Sequence, residues 1–471
     1  MIHRYKNNGF NIVLDVNSGA VHVVDELMYE LMGVYENVDA TERDNELKSP
    51  DRMKLAKKRL EEAGVCLKYE DMDLSEACFE LKQLVDNEEL YLPDTYEDYI
   101  EEVSNHKTVV KALCLHVAHA CNLACKYCFA GEGEYHGERG LMSFEVGKAA
   151  LDFLVKSSGN RVNLEVDFFG GEPTLNYDVV KQLVAYGREL EKTNNKHFRF
   201  TFTTNGVLLD DEMMEFANKE MDNVVLSIDG RKEVNDFMRP LRNGEGSYDK
   251  IVGKFKKFAD SRDQMRYYVR GTFTHNNLDF SEDVLHLANL GFKQISVEPV
   301  VAPNEAFYSI KEEDIPVLCE QYDKLAKDMA ERAGTDKDFN FFHFMIDLEG
   351  GPCVAKRLSG CGSGTEYLAV TPTGELYPCH QFVGNEEFKL GDVFEGVKKT
   401  DIVEDFKHCN VYSREKCRTC FARFYCSGGC AANSYNFNGD IRGTYDIGCE
   451  LMKKRVECAI MIKAAAALRE E

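Results

Sequence analysis

Two hydrophobic rhythms alternate along the middle of the chain. Short runs rich in β-branched and aromatic residues predict strands at 112–117, 162–169, 198–204, 224–229, 267–274 and 295–300. Between them, apolar positions recur at helical spacing over 144–156, 177–192, 211–221, 248–259 and 281–290, and 313–333 follows the last strand. Each strand is followed by a helix. That order demands a parallel sheet, because parallel neighbours cannot be joined by a tight turn. Six such units predict an α/β fold, a partial (β/α)6 barrel. Its chemistry is expected at the C-terminal strand ends.

The flanks have other rhythms. Near the start, 11–16 and 20–24 are β-rich around Asn17-Ser18-Gly19, a hairpin signal. Helices are predicted at 26–35 and 52–63, the second stopping at Gly64, and a short extended run at 65–69. Sheet plus helices in this length resembles a small winged-helix-like module. An acidic connector, 94–104, leads out of it. From Asp336 onward the pattern predicts loops with little strand or helix, in a segment holding 10 of the 17 cysteines. There metal would replace part of the hydrophobic core. The expected domains are 1–100, 101–335 and 336–471.

Composition narrows the function. A net charge of −24 over 471 residues argues against non-specific binding to nucleic acid or to an anionic membrane. The N-terminus has no signal-peptide pattern, and no stretch approaches the roughly 18 apolar residues of a membrane span. The expectation is a cytoplasmic protein in a reducing compartment, where clustered cysteines hold metal more often than they pair.

The first predicted strand runs into Cys121-Asn122-Leu123-Ala124-Cys125-Lys126-Tyr127-Cys128. Three thiolates on a short loop can hold three irons of a 4Fe–4S cube, leaving the fourth iron open. Structural zinc is the alternative, but it wants four ligands and tetrahedral closure. The loop resembles the signature of the radical S-adenosylmethionine (SAM) superfamily. The resemblance implies that the open iron chelates SAM and that an electron from the cluster cleaves it, giving a 5′-deoxyadenosyl radical. Gly170-Gly171-Glu172-Pro173-Thr174 ends the second strand, and its likeness to the family motif implies contact with the SAM amino group. Thr204 and Asn205 end the third strand; Ser227 and Asp229 end the fourth. By resemblance, Ser227 and Arg239 meet the ribose or the SAM carboxylate. Asn205 and Asp229 read equally as turn formers. Glu298 is placed either near adenine or as a buried carboxylate.

A second set, Cys417-x2-Cys420-x5-Cys426-x3-Cys430, is followed by Cys449 and preceded by Cys361 and Cys379. It resembles the seven-cysteine SPASM pattern, which implies two auxiliary 4Fe–4S clusters and so three in all. Carried over by position, Cys417, Cys420, Cys426 and Cys449 hold the outer cluster. Cys361, Cys379 and Cys430 serve the inner one. Cys353 is the candidate fourth inner ligand; without it, an iron is open to a substrate thiolate. Cys66, Cys78, Cys114, Cys319, Cys409 and Cys458 read as ordinary buried residues in or beside regular elements.

The whole chain is similar to the radical SAM/SPASM maturases of "six cysteines in forty-five" (SCIFF) precursor peptides. The likeness is closest from Gly350-Gly351-Pro352-Cys353 through Tyr377-Pro378-Cys379-His380-Gln381-Phe382-Val383-Gly384. It implies Cys sulfur-to-carbon thioether formation in a ribosomal precursor peptide, with a one-electron donor such as flavodoxin or ferredoxin. The N-terminal module would be a leader-peptide recognition element that captures an extended leader by β-augmentation. The runner-up is the anaerobic sulfatase maturase, which makes formylglycine. That family has an aspartate where this chain has His380, and it lacks a large N-terminal module. Epimerisation and carbon–carbon crosslinking are further alternatives, and a non-catalytic iron–sulfur protein is the alternative from another class.

Overall fold

The computed structural model describes every residue except 67, 107, 136, 138, 347, 349–353 and 471, and the side chain of Glu470. A three-stranded antiparallel sheet opens the chain: β1 (Ile2–Asn7), β2 (Phe10–Asp15) and β3 (Val21–Val24). The turn between β2 and β3 is built by Asp15, whose Oδ1 accepts from the N–H groups of Asn17 (3.0 Å) and Ser18 (2.9 Å). Four helices follow: Glu26–Glu36, Ala40–Lys48, Arg52–Glu62 and Asp71–Asp86. They enclose a core of their own around Leu31, Met32, Tyr35, Leu60, Leu74 and Leu81.

Two of these helices are absent from the hydrophobic reading. Asp71–Asp86 carries a legible signal: Leu74, Ala77, Cys78 and Leu81 are its buried residues and fall at helical spacing. Glu70 and Asp73 also form a capping box at its start. Ala40–Lys48 buries only Arg43 and Leu47, too few apolar positions to show a period. The expected extended run at 65–69 forms no strand among its described residues, and Cys66 is exposed in a loop, outside any regular element.

Among the described residues, the main sheet has twelve strands. β4 (Ala112–His119), β6 (Asn163–Gly170), β7 (His197–Thr204), β8 (Met221–Ser227), β9 (Tyr267–Phe273) and β10 (Gln294–Pro299) pair in parallel in that order. The crossover helices lie where the period-3.6 pattern places them, at Phe144–Ser157, Tyr177–Asn194, Asp211–Glu220, Tyr248–Ser261 and Phe280–Asn289, with Ile315–Arg332 after β10. All eight residues of β4 are buried. A parallel strand is covered on both faces, so it reads as a continuous apolar run rather than an alternating one. The short β5 (Gly140–Leu141) pairs antiparallel with the end of β4, and β11 (Asn340–Phe341) extends the far edge beyond β10.

The last third corrects the expectation of a loop-rich segment. β12 (Tyr367–Val370) pairs in parallel with β4, and β13 (Glu375–Tyr377), β14 (Gly391–Asp392) and β15 (Gly396–Val397) continue the barrel sheet antiparallel. A 25-residue helix, Asp446–Glu470, packs along Ile315–Arg332. These strands are two to four residues long, too short to show a period in the sequence. Among the described residues, no helix is long and apolar enough to cross a membrane.

Candidate functional site

The C-terminal ends of the parallel strands surround a cavity of about 300 Å³. Its lining includes Cys121, Cys125, Cys128, Gly170, Gly171, Glu172, Pro173, Thr204, Asn205, Ser227 and Arg239. All eleven sequence-selected residues of the first motifs thus meet at one place, although they span 119 positions (239 − 121 + 1).

The two glycines of the Gly-Gly-Glu-Pro motif serve the protein backbone. A Cβ on Gly171 would lie 2.2 Å from the Ala120 carbonyl oxygen, and one on Gly170, at φ +124°, 2.4 Å from that of Ala118. Only glycine lets the end of β6 lie this close to the strand that delivers the cysteine loop. The N–H groups of Gly171 and Glu172 then donate to Ala118 O (2.8 Å) and Ala120 O (2.9 Å).

Glu172 is a strut. Its Oε1 accepts from Thr174 N–H (3.1 Å), Thr174 Oγ1 (2.6 Å) and Thr204 Oγ1 (2.7 Å); its Oε2 accepts from Asn205 N–H (2.8 Å). Burial pushes its carboxyl up, against the opposing pull of these donors. The carboxylate thereby ties the end of β6 to that of β7. Asn205 is a turn former that also braces the cysteine loop. Its Oδ1 closes a turn by accepting from Val207 N–H (3.1 Å), while its Nδ2 donates to Asn122 Oδ1 (2.7 Å) in the cysteine loop.

A second strut crosses from β8. The Tyr127 hydroxyl, inside the cysteine loop, lies 2.8 Å from both oxygens of Asp229, and Arg239 Nη1 donates to it at 2.8 Å. Asp229 is fully buried, and burial pushes its carboxyl up to about 6 even though Arg239 pulls it down. The segment after Lys232–Met238 clamps the same loop. Ala124 N–H donates to Pro240 O and Lys126 N–H to Met238 O, both at 2.9 Å. Arg242 Nε donates to Cys121 O at 2.7 Å. Tyr127 and this clamp escape sequence reading because their partners lie about a hundred residues away. Asp229, which the sequence offers as a turn former or ligand contact, is the buried acceptor of this strut.

Glu298 faces the cavity at the end of β10, where Arg270 Nη2 donates to it at 3.0 Å. His380 also lines the cavity, its ring 5.5 Å from Phe129 and 5.3 Å from Phe169. Burial lowers its imidazole to about 4, so it is neutral near neutral pH.

A further cavity of about 260 Å³ is lined by Cys417, Cys420, Cys426, Cys430 and Cys449. Glu298 and Asn433 border both cavities. Burial, then the neighbouring Cys449, Cys417 and Cys420, pushes the Cys426 thiol up to about 12. Cys379 rises to about 12 through burial and then through Cys430 and Cys361. Cys430, expected in the inner group, lines the same cavity as the four cysteines expected in the outer one. Cys353 and the Gly350-Gly351-Pro352 stretch lie outside the described residues.

Cys121, Cys125 and Cys128 line one cavity, a three-thiol set of the kind that can hold three irons of a 4Fe–4S cluster. Burial lifts Cys121 to about 11 and Cys125 to about 12, so occupation by metal must displace protons. Arg239 Nε and Asn122 Nδ2 are buried at the first cysteine loop without a partner, as is Asn433 Oδ1 between the cavities. Orphaned polar atoms of this kind call for a polar occupant.

Residues 115–284 match the Radical SAM superfamily model. An uncharacterized protein of Methanocaldococcus jannaschii is 31% identical over 194 residues, which span 40% of this chain and 62% of that relative, less than two thirds of its length. A cysteine-type anaerobic sulfatase-maturating enzyme of Clostridium novyi is 26% identical over 358 residues, 72% of this chain and 91% of the relative. In fold, the chain is similar to Streptococcus suis SuiB bound to S-adenosylmethionine, with a TM-score of 0.51, 17% identity and coverage of 94% of this chain and 97% of SuiB. The segment similar to the Radical SAM superfamily model, 115–284, is the part of the barrel that carries the three-cysteine loop at its mouth.

Proposed function

We propose that this protein is a radical SAM enzyme that installs thioether crosslinks, from a cysteine sulfur to a carbon, in a ribosomally made precursor peptide. The observation that carries the reading is the meeting of two cysteine-lined cavities at the strand ends, with Glu298 and Asn433 on their shared border. Cys121, Cys125 and Cys128 would hold the SAM-binding cluster. Gly170, Gly171, Glu172, Pro173, Thr204, Asn205, Ser227 and Arg239 would frame SAM, with the unpartnered Nε of Arg239 offered to its carboxylate. Cys417, Cys420, Cys426 and Cys449 would hold the outer auxiliary cluster. Cys361, Cys379 and Cys430, with Cys353 as fourth, would hold the inner one. When bound, SAM and its cluster supply a primary carbon radical that no side chain can make. The chain's own part is to hold the peptide carbon and sulfur in register beside that site, a problem of proximity.

Residues 1–100 are assigned to leader binding, 101–335 to the barrel and 336–471 to the auxiliary-cluster domain. β3 is an edge of the N-terminal sheet, as strand addition by a leader requires. The likeness in fold to SuiB covers 94% of this chain, which supports a reading that gives every part of the chain, the N-terminal module included, a role. A flavodoxin or ferredoxin in the cytoplasm would be the electron donor. Formylglycine formation is the second reading, favoured by the sulfatase-maturating relative, although His380 stands at the cavity wall where that family has an aspartate. The test is anaerobic co-expression with a small cysteine-rich peptide encoded beside the gene, followed by mass spectrometry. Thioether formation removes two hydrogens per crosslink and leaves the linked cysteine resistant to alkylation. An aldehyde that reacts with hydrazide would establish the second reading instead.

A further inference from the structure

Arg423 stands between two ligand candidates of the outer auxiliary cluster, Cys420 and Cys426, and it lines their cavity. Its side chain is 4% exposed. A guanidinium this deeply buried needs partners on every side. Two come from the N-terminal segment: Nη2 donates to Asn17 Oδ1 at 2.7 Å and to Asp94 Oδ2 at 2.9 Å. Nη1 donates to the Arg418 carbonyl. Nε has no partner.

The contact is a built one. Asn17 sits at the β2–β3 turn, and its Nδ2 donates to Leu92 O at 2.7 Å. Asp15, which shapes that turn, also accepts from Leu92 N–H at 3.2 Å. Asp94, two residues on, accepts a second hydrogen bond from Tyr412 (2.8 Å). Tyr96 packs edge-on against Phe424 at 5.0 Å, and the His3 ring on β1 stacks on Phe421. The N-terminal module therefore rests directly on the loop that carries Cys417, Cys420 and Cys426.

We infer that Asn17 and Asp94 hold Arg423 as a positioning residue for the outer iron–sulfur site, so that the N-terminal module sets the charge seen by that cluster. A cluster bound by four thiolates is anionic, and its potential follows the net charge and hydrogen bonding around its sulfurs. The unpaired Nε–H of Arg423 is the donor left for that purpose, and Asp94 is the counter-charge that tempers it. Anything that draws the hairpin or the connector away from Arg423, such as a peptide seated on the module, would unmask the guanidinium and raise the potential. The inference rests on the assignment of the outer cysteines to a cluster.

The experiment is an EPR-monitored redox titration of the full-length, anaerobically reconstituted protein, with iron content measured in parallel. Arg423→Gln should shift the outer midpoint to more negative potential. Asp94→Asn, which keeps an oxygen for Tyr412 and Arg423 but removes the charge, should shift it to more positive potential. Asn17→Ala should move it in the same direction as Asp94→Asn and by less. Opposite signs at unchanged iron content support the inference, because a merely structural defect would not reverse its sign. Shifts of one sign, no shift, or loss of the outer iron on Asp94→Asn would overturn it. If the unaltered protein shows only one cluster, the cluster assignment itself has failed, and iron analysis reports that separately.

Discussion

The two cysteine sets are carried by scaffolds of opposite kind. The first loop hangs from β4 and is braced on three sides: by Gly171 at backbone contact distance, by the Tyr127–Asp229–Arg239 strut and by the clamp at Met238–Pro240. Its shape is dictated by sheet and packing before any metal arrives. Of the second set, Cys449 lies in the long helix Asp446–Glu470, while Cys417 and Cys426 sit on four-residue helices, Glu415–Arg418 and Arg423–Cys426, with Cys420 in the loop between them. Helices that short have no stability of their own. Their order rests on neighbours such as Arg423 and, under the proposed assignment, would rest on iron as well. On that reading one set is a preformed site and the other is a fold that metal would complete.

The largest effect separates the sets outright. Replacing Cys121, Cys125 and Cys128 together by alanine should abolish 5′-deoxyadenosine formation from SAM under dithionite. The circular dichroism spectrum and the auxiliary iron should stay as in the parent. Loss of the fold would mean that the barrel loop also needs its cluster. Next comes Cys426→Ala. Here activity loss should be accompanied by loss of outer iron and by new proteolytic cuts between Arg414 and Cys449, with the barrel left resistant. An unchanged digestion pattern would break the contrast.

Gly171→Ala tests whether packing or a ligand demands the glycine. The added methyl would meet the Ala120 carbonyl at 2.2 Å. Overpacking against backbone costs about 3 kcal/mol. The denaturation midpoint should fall in the metal-free protein, where no ligand is present. A drop seen only with SAM and cluster bound would assign the glycine to the ligand instead.

These contrasts bear on what the sequence could reveal. The barrel was legible because each strand and helix there is long enough to show its period. Its site was legible because chemistry-bearing residues follow strand ends. The struts were not, since a Tyr127–Asp229 hydrogen bond joins positions 102 apart, with nothing local to mark it. The carboxy-terminal strands were hidden for a different reason. At two to four residues they borrow their order from β4, which appears in sequence only as someone else's strand. The cysteine spacing is the signal that remains there, as the proposed metal ligation would fix residue type where packing does not.

Asp229 gives the braced loop a pH signature. Its folded pKa, about 6, lies above the roughly 3.9 of an unfolded aspartate. The folded state therefore binds this proton more tightly. Stability from this group is fully present at low pH and is lost as pH rises from ~4 to ~6, by on the order of 3 kcal/mol. Asp229→Asn removes that dependence. Compared with the parent in urea at about pH 4.5 and about pH 7, the variant should gain relative stability at the higher pH. A gap that stays constant would show that Arg239 and Tyr127 fully compensate the buried charge.

The smallest effect probes the outermost brace. Lys126 Nζ lies 3.5 Å from the centroid of the Phe237 ring, joining the cysteine loop to helix Lys232–Met238 from the solvent side. An exposed cation–π contact is worth about 0.5 kcal/mol. Lys126→Met keeps the aliphatic stem over the ring and removes only the charge. The expected result is a barely lowered denaturation midpoint with unchanged SAM cleavage, because the backbone clamp from Met238 to Lys126 N–H remains. A large loss of SAM cleavage at unchanged stability would show that the loop is held by its surface charge, and the preformed character of this site would then rest on far less than its buried struts provide.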